Sequence, residues 1–268
     1  MPLIRADLSP VDYVHVPQAP RIERREIFRR GADNPWQMMG VVGVGPDGAC
    51  LGLSNHTWSH VDAPFHLLAD GASLDDVPPS QYLANRAAVV DLTRTQTRRE
   101  TVDGTPYHSF IDVDDLPRDL NDCDALLIVT GFGALIDRRY PMQPGADSHY
   151  PSITAAAASR LAASPRLKLV ALDSPTIDKP EANAAAHRTL LSRRPAPVLI
   201  VETLTCERLR RAVDPLPREV ILTIEPLRAF GPHPDGALAS VYAWAAPSSA
   251  EHAEYEALAR ALTGAALA

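Results

Sequence analysis

Three short apolar runs, 125–130, 167–172 and 197–201, set the class of fold open to this chain. Each is apolar at nearly every position instead of at every second one, the pattern of a strand covered on both faces. Such strands belong to parallel sheets flanked by helices. Helical segments lie between them: Ser152 is placed to cap a helix to about Ala163, with alanines at 155–158, and Glu181 to Ser192 reads as another. Further strands are expected at 87–92, 219–224 and 240–245, and a closing helix from Ser249 to about Thr263, which Gly264 ends. Strands alternating with helices predict an α/β protein with a mixed sheet. With 268 residues and no Gly/Ser linker or internal repeat, one domain is the simplest organisation.

Upstream, residues 38–44 and 49–53 flank Gly45-Pro46-Asp47-Gly48, a turn sequence that predicts a β-hairpin. Residues 43–48 also satisfy GxGxxG, but a dinucleotide site needs that pattern to open a helix, and here it turns into a second strand. Residues 94–105 are polar and read as a loop. Asp112, Asp114 and Asp115 read as solvated charge before Pro117, and the adjacent Asp75 and Asp76 as a solvated turn.

A net charge of −7 and a pI near 5.7 argue against a nucleic-acid partner or an anionic membrane surface. The Arg-rich stretch 21–30 is interleaved with glutamates, as in a solvated segment or subunit contact. Cys50, Cys123 and Cys206 are odd in number and widely spaced, which suits reduced thiols in the cytoplasm. The first twenty residues lack the apolar core of a signal peptide, and the longest apolar run, 125–136, is too short to span a membrane.

Three of the nine histidines fall in residues 56–66, His56-Thr57-Trp58-Ser59-His60-Val61-Asp62-Ala63-Pro64-Phe65-His66. Read as extended chain, His56, Trp58, His60, Asp62 and His66 share one face, and Thr57, Val61 and Phe65 point toward a core. A helix would separate Asp62 from the histidines and be broken by Pro64. Two imidazoles and a carboxylate converging on one point supply the nitrogen and oxygen donors that Zn²⁺, Mn²⁺ or Fe²⁺ accept. His187 and Glu202 are candidates for completing such a site, since Glu202 directly follows a buried strand, where α/β sheets place ligands.

The stretch 56–66 resembles the HTGTHxDAPxH motif of a family of cyclases and metal-dependent hydrolases that includes bacterial kynurenine formamidase and isatin hydrolase. The likeness continues through residues 70–75, 169–178, 186–191 and 198–204 and covers roughly 36–228. It implies a swivelling β/β/α fold for residues 36–268, with 1–35 as an N-terminal extension or subunit contact. It also implies that His56, His60 and Asp62 bind a first divalent ion, that Asp62, His187 and Glu202 hold a second, and that His66 is the acid–base catalyst. The ion would be zinc or manganese, and the assembly a homodimer or homotetramer. The family's Gly-Thr is here Trp58-Ser59. If strand parity holds, the indole walls the substrate pocket together with Phe65; if the backbone turns there, it packs into core or interface.

The expected reaction is hydrolysis of an amide or lactam in a small-molecule substrate by metal-activated water. The competing expectations are ring closure in biosynthesis, as in an aromatic polyketide or lactone cyclase, and a metal-binding protein without catalysis. GxSxG is absent, which leaves no serine-nucleophile reading.

Overall fold

The structure, a computed structural model, describes residues 4–7, 21–28, 37–44, 50–83, 85–120, 123–138, 149–227 and 233–245, together with positions 253 and 257. The strands are β1 (Ile4–Asp7), β2 (Arg21–Phe28), β3 (Met38–Val44), β4 (Cys50–Ser54), β5 (His60–Asp62), β6 (Asn85–Asp91), β7 (Arg99–Val102), β8 (Thr105–His108), β9 (Phe110–Ile111), β10 (Ala125–Val129), β11 (Ser152–Ile153), β12 (Leu169–Leu172), β13 (Leu199–Glu202), β14 (Glu219–Pro226) and β15 (Gly236–Ala245). The helices are α1 (Gly133–Asp137), α2 (Ala155–Ala163), α3 (Ala185–Leu191) and α4 (Glu207–Ala212).

The apolar runs become β10, β12 and β13, and with β6 they form the parallel part of a mixed sheet. Antiparallel β14 and β15 extend it on the β6 side and β5 on the β13 side. Because β15 also pairs with β5, seven strands close into a barrel-like ring, and β1 adds beside β15. The fold is thus mixed α/β, with a sheet that curls onto itself.

The pleat of each strand divides the core in two. Ala125, Leu127 and Val129, with Leu169, Ala171, Leu199, Val201, Val220, Leu222, Ile224 and Val61, fill the ring. Alanines recur in this set (Ala87, Ala237, Ala239, Ala243), as a narrow barrel interior requires where small and large side chains must alternate. The opposite face, through Leu126, Ile128, Val170, Leu172 and Ile200, is covered by Leu161 of α2 and by Leu190 and Leu191 of α3. Placing Val61 inside the ring turns His60 and Asp62 out, toward α3.

Several local expectations are corrected. Thr154, not Ser152, caps α2, accepting from the Ala157 amide at 3.2 Å, because Ser152 is drawn into a parallel pair with β9. The polar segment 94–105 contains a hairpin, β7–β8, whose turn residues Asp103 and Gly104 both take positive φ (47° and 71°), the type I′ geometry that Asp-Gly favours. Asp112 and Asp115 form a capping box around the 3₁₀ turn 113–115, and Asp115 also bonds Arg98 at 2.5 Å. Asp75 and Asp76, by contrast, are exposed in the 3₁₀ turn 74–76 as the sequence suggests, and Ser73 and Asp76 close a capping box around it. The helix expected from Glu181 is a 3₁₀ turn followed by α3.

The predicted hairpin is present as the β3–β4 pair, and β2 joins it in a three-stranded antiparallel sheet; the turn 45–48 lies outside the described residues. Ala253 and Ala257 are helical, and the rest of the predicted closing helix lies outside the described residues. No described helix is long and apolar enough to cross a membrane.

Candidate metal centre

The stretch 56–66 is not one extended strand. Only His60–Asp62 pairs in the sheet, 3₁₀ geometry takes over at Pro64–His66, and the chain turns through 55–59. Trp58 adopts φ 58°, the left-handed region that non-glycine residues avoid. Its carbonyl accepts from His60 Nδ1 at 2.7 Å, which leaves His60 Nε2 facing the centre. The expectation of a shared strand face therefore fails for His56, Trp58 and His66. It holds for His60 and Asp62, which flank the inward Val61.

All six expected ligand and catalytic side chains nevertheless converge. β5 lies between β13 and β15, so Asp62 stands opposite Ile200 and Gly236, and His60 opposite Glu202. His60 Nε2 is 3.3 Å from Glu202 Oε2 and 3.4 Å from Asp62 Oδ1. From α3, His187 Nε2 reaches Glu202 Oε1 at 3.2 Å and Asp62 Oδ2 at 3.4 Å. His56 Nδ1 lies 2.8 Å from Asp62 Oδ1, and its ring stacks on that of His66 at 3.9 Å. Gly236 permits this approach: a Cβ there would sit 2.8 Å from His56 Cε1 and 2.6 Å from the Val61 carbonyl oxygen.

Two donor groups share Asp62: His56–Asp62–His66 and His60–Asp62–Glu202, each with ligand atoms within 4.8 Å of one another. His187 falls with the second. His56 and His60 both approach Asp62 Oδ1, whereas His187, beside Glu202 Oε1, approaches Asp62 Oδ2. Trp58 and Phe65, the expected aromatic pocket residues, are both partly buried.

Two residues central to the site were not singled out from sequence. Asp178 accepts from His187 Nδ1 at 2.7 Å and from the amides of Ala186 and His187 at 2.9 Å, fixing the start of α3. Asp235 lies 2.8 Å from His56 Nε2 and 3.3 Å from His66 Nδ1. Asp178 stands in a stretch that carries the family likeness. Asp235 had only a weak signal, an acid between Pro234 and Gly236 ahead of an apolar strand.

The donors suit a cation. Three imidazoles each have one nitrogen held by an oxygen (His56 Nε2 by Asp235, His60 Nδ1 by Trp58 O, His187 Nδ1 by Asp178), and the other nitrogen faces Asp62 or Glu202. That is the arrangement by which metal-ligating histidines are oriented and their tautomer fixed. Both carboxylate oxygens of Asp62 are fully buried without a well-formed hydrogen bond, a placement that is costly unless positive charge stands close by.

Protonated histidines around Asp62 can supply such charge. Burial works against a charged His56, but its contacts with Asp235 and Asp62 outweigh it and raise its pKa to about 9. Burial likewise opposes a charged His187, and Glu202, Asp178 and Asp62 raise it well above its usual range. Burial would raise Asp62 and Asp235, yet His60, His187 and His56 hold Asp62 low, and His56 and His66 hold Asp235 low. His66 goes the other way, lowered by burial and by the nearby His56 charge.

Related proteins carry the same fold. A structure described as a potential metal-dependent hydrolase with cyclase activity aligns at TM-score 0.58 and 19% identity, covering 92% of this chain and 100% of that one. Isatin hydrolase A from Labrenzia aggregata, bound to benzyl benzoate, aligns at 0.57 and 18%, covering 90% and 93%. An isatin hydrolase bound to the product analogue thioisatinate aligns at 0.60 and 15%, covering 91% and 92%. The sequence model of the family described as Putative cyclase matches residues 12–179, more than half of the chain and including His56, His60, Asp62 and His66. The chain belongs to this cyclase family.

Proposed function

We propose that this chain is a metal-dependent hydrolase that opens an amide or lactam bond in a small cyclic or aromatic substrate. The observation that carries this reading is the orientation of His56, His60 and His187, each tied back through one nitrogen so that the other faces the buried carboxylates Asp62 and Glu202. His56, His60, Asp62, His187 and Glu202 would hold one or two divalent ions, zinc or manganese. A divalent ion bound there supplies Lewis-acid activation of water and of a carbonyl oxygen. The isatin hydrolase neighbours support a lactam as the first substrate to try.

We assign the proton work to His66. Its Nδ1–H donates to the Gln37 carbonyl at 2.6 Å, which leaves Nε2 with its lone pair. Burial keeps the ring neutral at pH 7, as a general base needs. Nε2 takes a proton from the attacking water and delivers it to the nitrogen as the C–N bond breaks; the water oxygen stays on the carbonyl carbon as part of a carboxylate. Gln37 O fixes the tautomer, and burial of the cluster limits competing water.

The test is hydrolysis of isatin, formylated anilines and small lactones by protein loaded with zinc or manganese, beside His66→Ala. We expect His66→Ala to retain the ion and lose about 10²–10⁴ in turnover. Full turnover in His66→Ala overturns the assignment of His66. Metal-loaded protein that hydrolyses none of these would favour ring closure over hydrolysis.

A further inference from the structure

We propose that Asp235 is a positioning residue that sets the orientation of a metal ligand and of the proton-transfer histidine together. This rests on the reading of the cluster as a metal centre. Asp235 is fully buried, and its two oxygens have separate tasks. Oδ1 accepts from Asn55 Nδ2 at 2.5 Å, and Asn55 also donates to the Gly236 carbonyl at 3.1 Å, which locks the carboxylate plane. Oδ2 meets His56 Nε2 at 2.8 Å and His66 Nδ1 at 3.3 Å, so the stacked rings are held at one oxygen.

An ionised carboxylate only accepts hydrogen bonds. When His56 is neutral, its one ring proton is therefore held on Nε2, and Nδ1 turns its lone pair toward Asp62 and the centre. His66 Nδ1 is bound to carry a proton as well, since both of its neighbours, Gln37 O and Asp235 Oδ2, are acceptors. The backbone fixes the acid in place: the Ala63 amide donates to the Asp235 carbonyl at 2.9 Å, and the next residue, Gly236, pairs opposite Asp62. Ligand strand and positioning acid thus move as one unit.

Asp235→Asn separates this role from a merely structural one. The Asn55 amide still needs an acceptor, so the oxygen of the new amide turns to it and the NH₂ faces His56 and His66. An NH₂ donates to His56 Nε2 and drives the proton onto Nδ1, where it blocks the ligand.

Full-length wild type and Asp235→Asn, stripped with chelator, would be titrated with Zn²⁺ and with Mn²⁺ by calorimetry. Thermal melts would establish that the variant folds. We expect affinity to fall about 10–100-fold. Nitrogen-15 spectra of zinc-loaded, histidine-labelled protein supply the second readout. The wild type should carry its His56 proton on Nε2, and the variant should not. A folded variant with wild-type affinity and an Nε2-protonated His56 overturns the proposal alone. A wild type that takes up neither ion overturns the metal-centre reading with it. If Asp235→Asn does not fold, the wild-type spectra decide: a zinc-loaded His56 protonated on Nδ1 refutes the role.

Discussion

Ion uptake should release protons, and the structure sets how many. His56 is flanked by Asp62 and Asp235 and titrates near 9 instead of its ordinary 6.5. At 1.36 kcal/mol per pH unit that rise corresponds to about 3 kcal/mol of folding stability, with little discount for solvent because the side chain is only 6% exposed. The folded pKa lies above the unfolded one, so this stability is fully present below pH 6.5 and is lost as pH rises through about 9. A divalent ion needs the Nδ1 lone pair and must displace the proton. At pH 7.5 His56 is almost wholly protonated, so binding should expel about one proton from it, and His187, raised in the same sense, adds to the release. Apparent affinity should then climb about tenfold per pH unit for each proton displaced, flattening above pH 9. Calorimetric titration at pH 7.5 in two buffers of different ionisation enthalpy reads the number directly. Heat that does not depend on the buffer would refute the displacement of a histidine proton by the ion.

Gly236→Ala forces a methyl to within 2.8 Å of His56 and 2.6 Å of the Val61 carbonyl, so the variant should lose about 1–3 kcal/mol of stability, seen as a lower Tm, and bind ions more weakly. Asp178→Asn removes the acceptor of His187 Nδ1 and should cost about 10–100-fold in ion affinity with little change in fold, measured by titration beside circular dichroism. Thr154→Ala removes the cap of α2 and should cost about 1 kcal/mol in denaturant unfolding while leaving ion affinity alone, which makes it a control for stability loss remote from the ligands.

The strands were legible wherever burial on both faces forces an unbroken apolar run, as at β10, β12 and β13. The pairing of His187 and Glu202 with the first histidines was legible through family likeness, because spacing alone cannot show that residues over a hundred positions apart meet. Strand parity found His60 and Asp62 but misplaced Trp58, whose left-handed backbone depends on tertiary contacts that override local preference. The β7–β8 hairpin was missed although Asp103-Gly104 announces a type I′ turn, since its polar strands look like a loop when alternation is not sought. Asp235 escaped because its partners, Asn55 and His56, lie about 180 positions earlier, and nothing local marks an acid that acts at such range.

The three residues of β5 have a consequence for how the molecule comes into being. Both neighbours of this strand, β13 and β15, are synthesised at least 137 residues after it, so a growing chain that has already exposed His56, His60, Asp62 and His66 has no scaffold to hold them at fixed spacing. A cation met during translation would find only scattered, rotating side chains. The β5–β13 seam is the one that sets Glu202 opposite His60, so if the cluster holds an ion, tight capture would report that β13 has docked against β5.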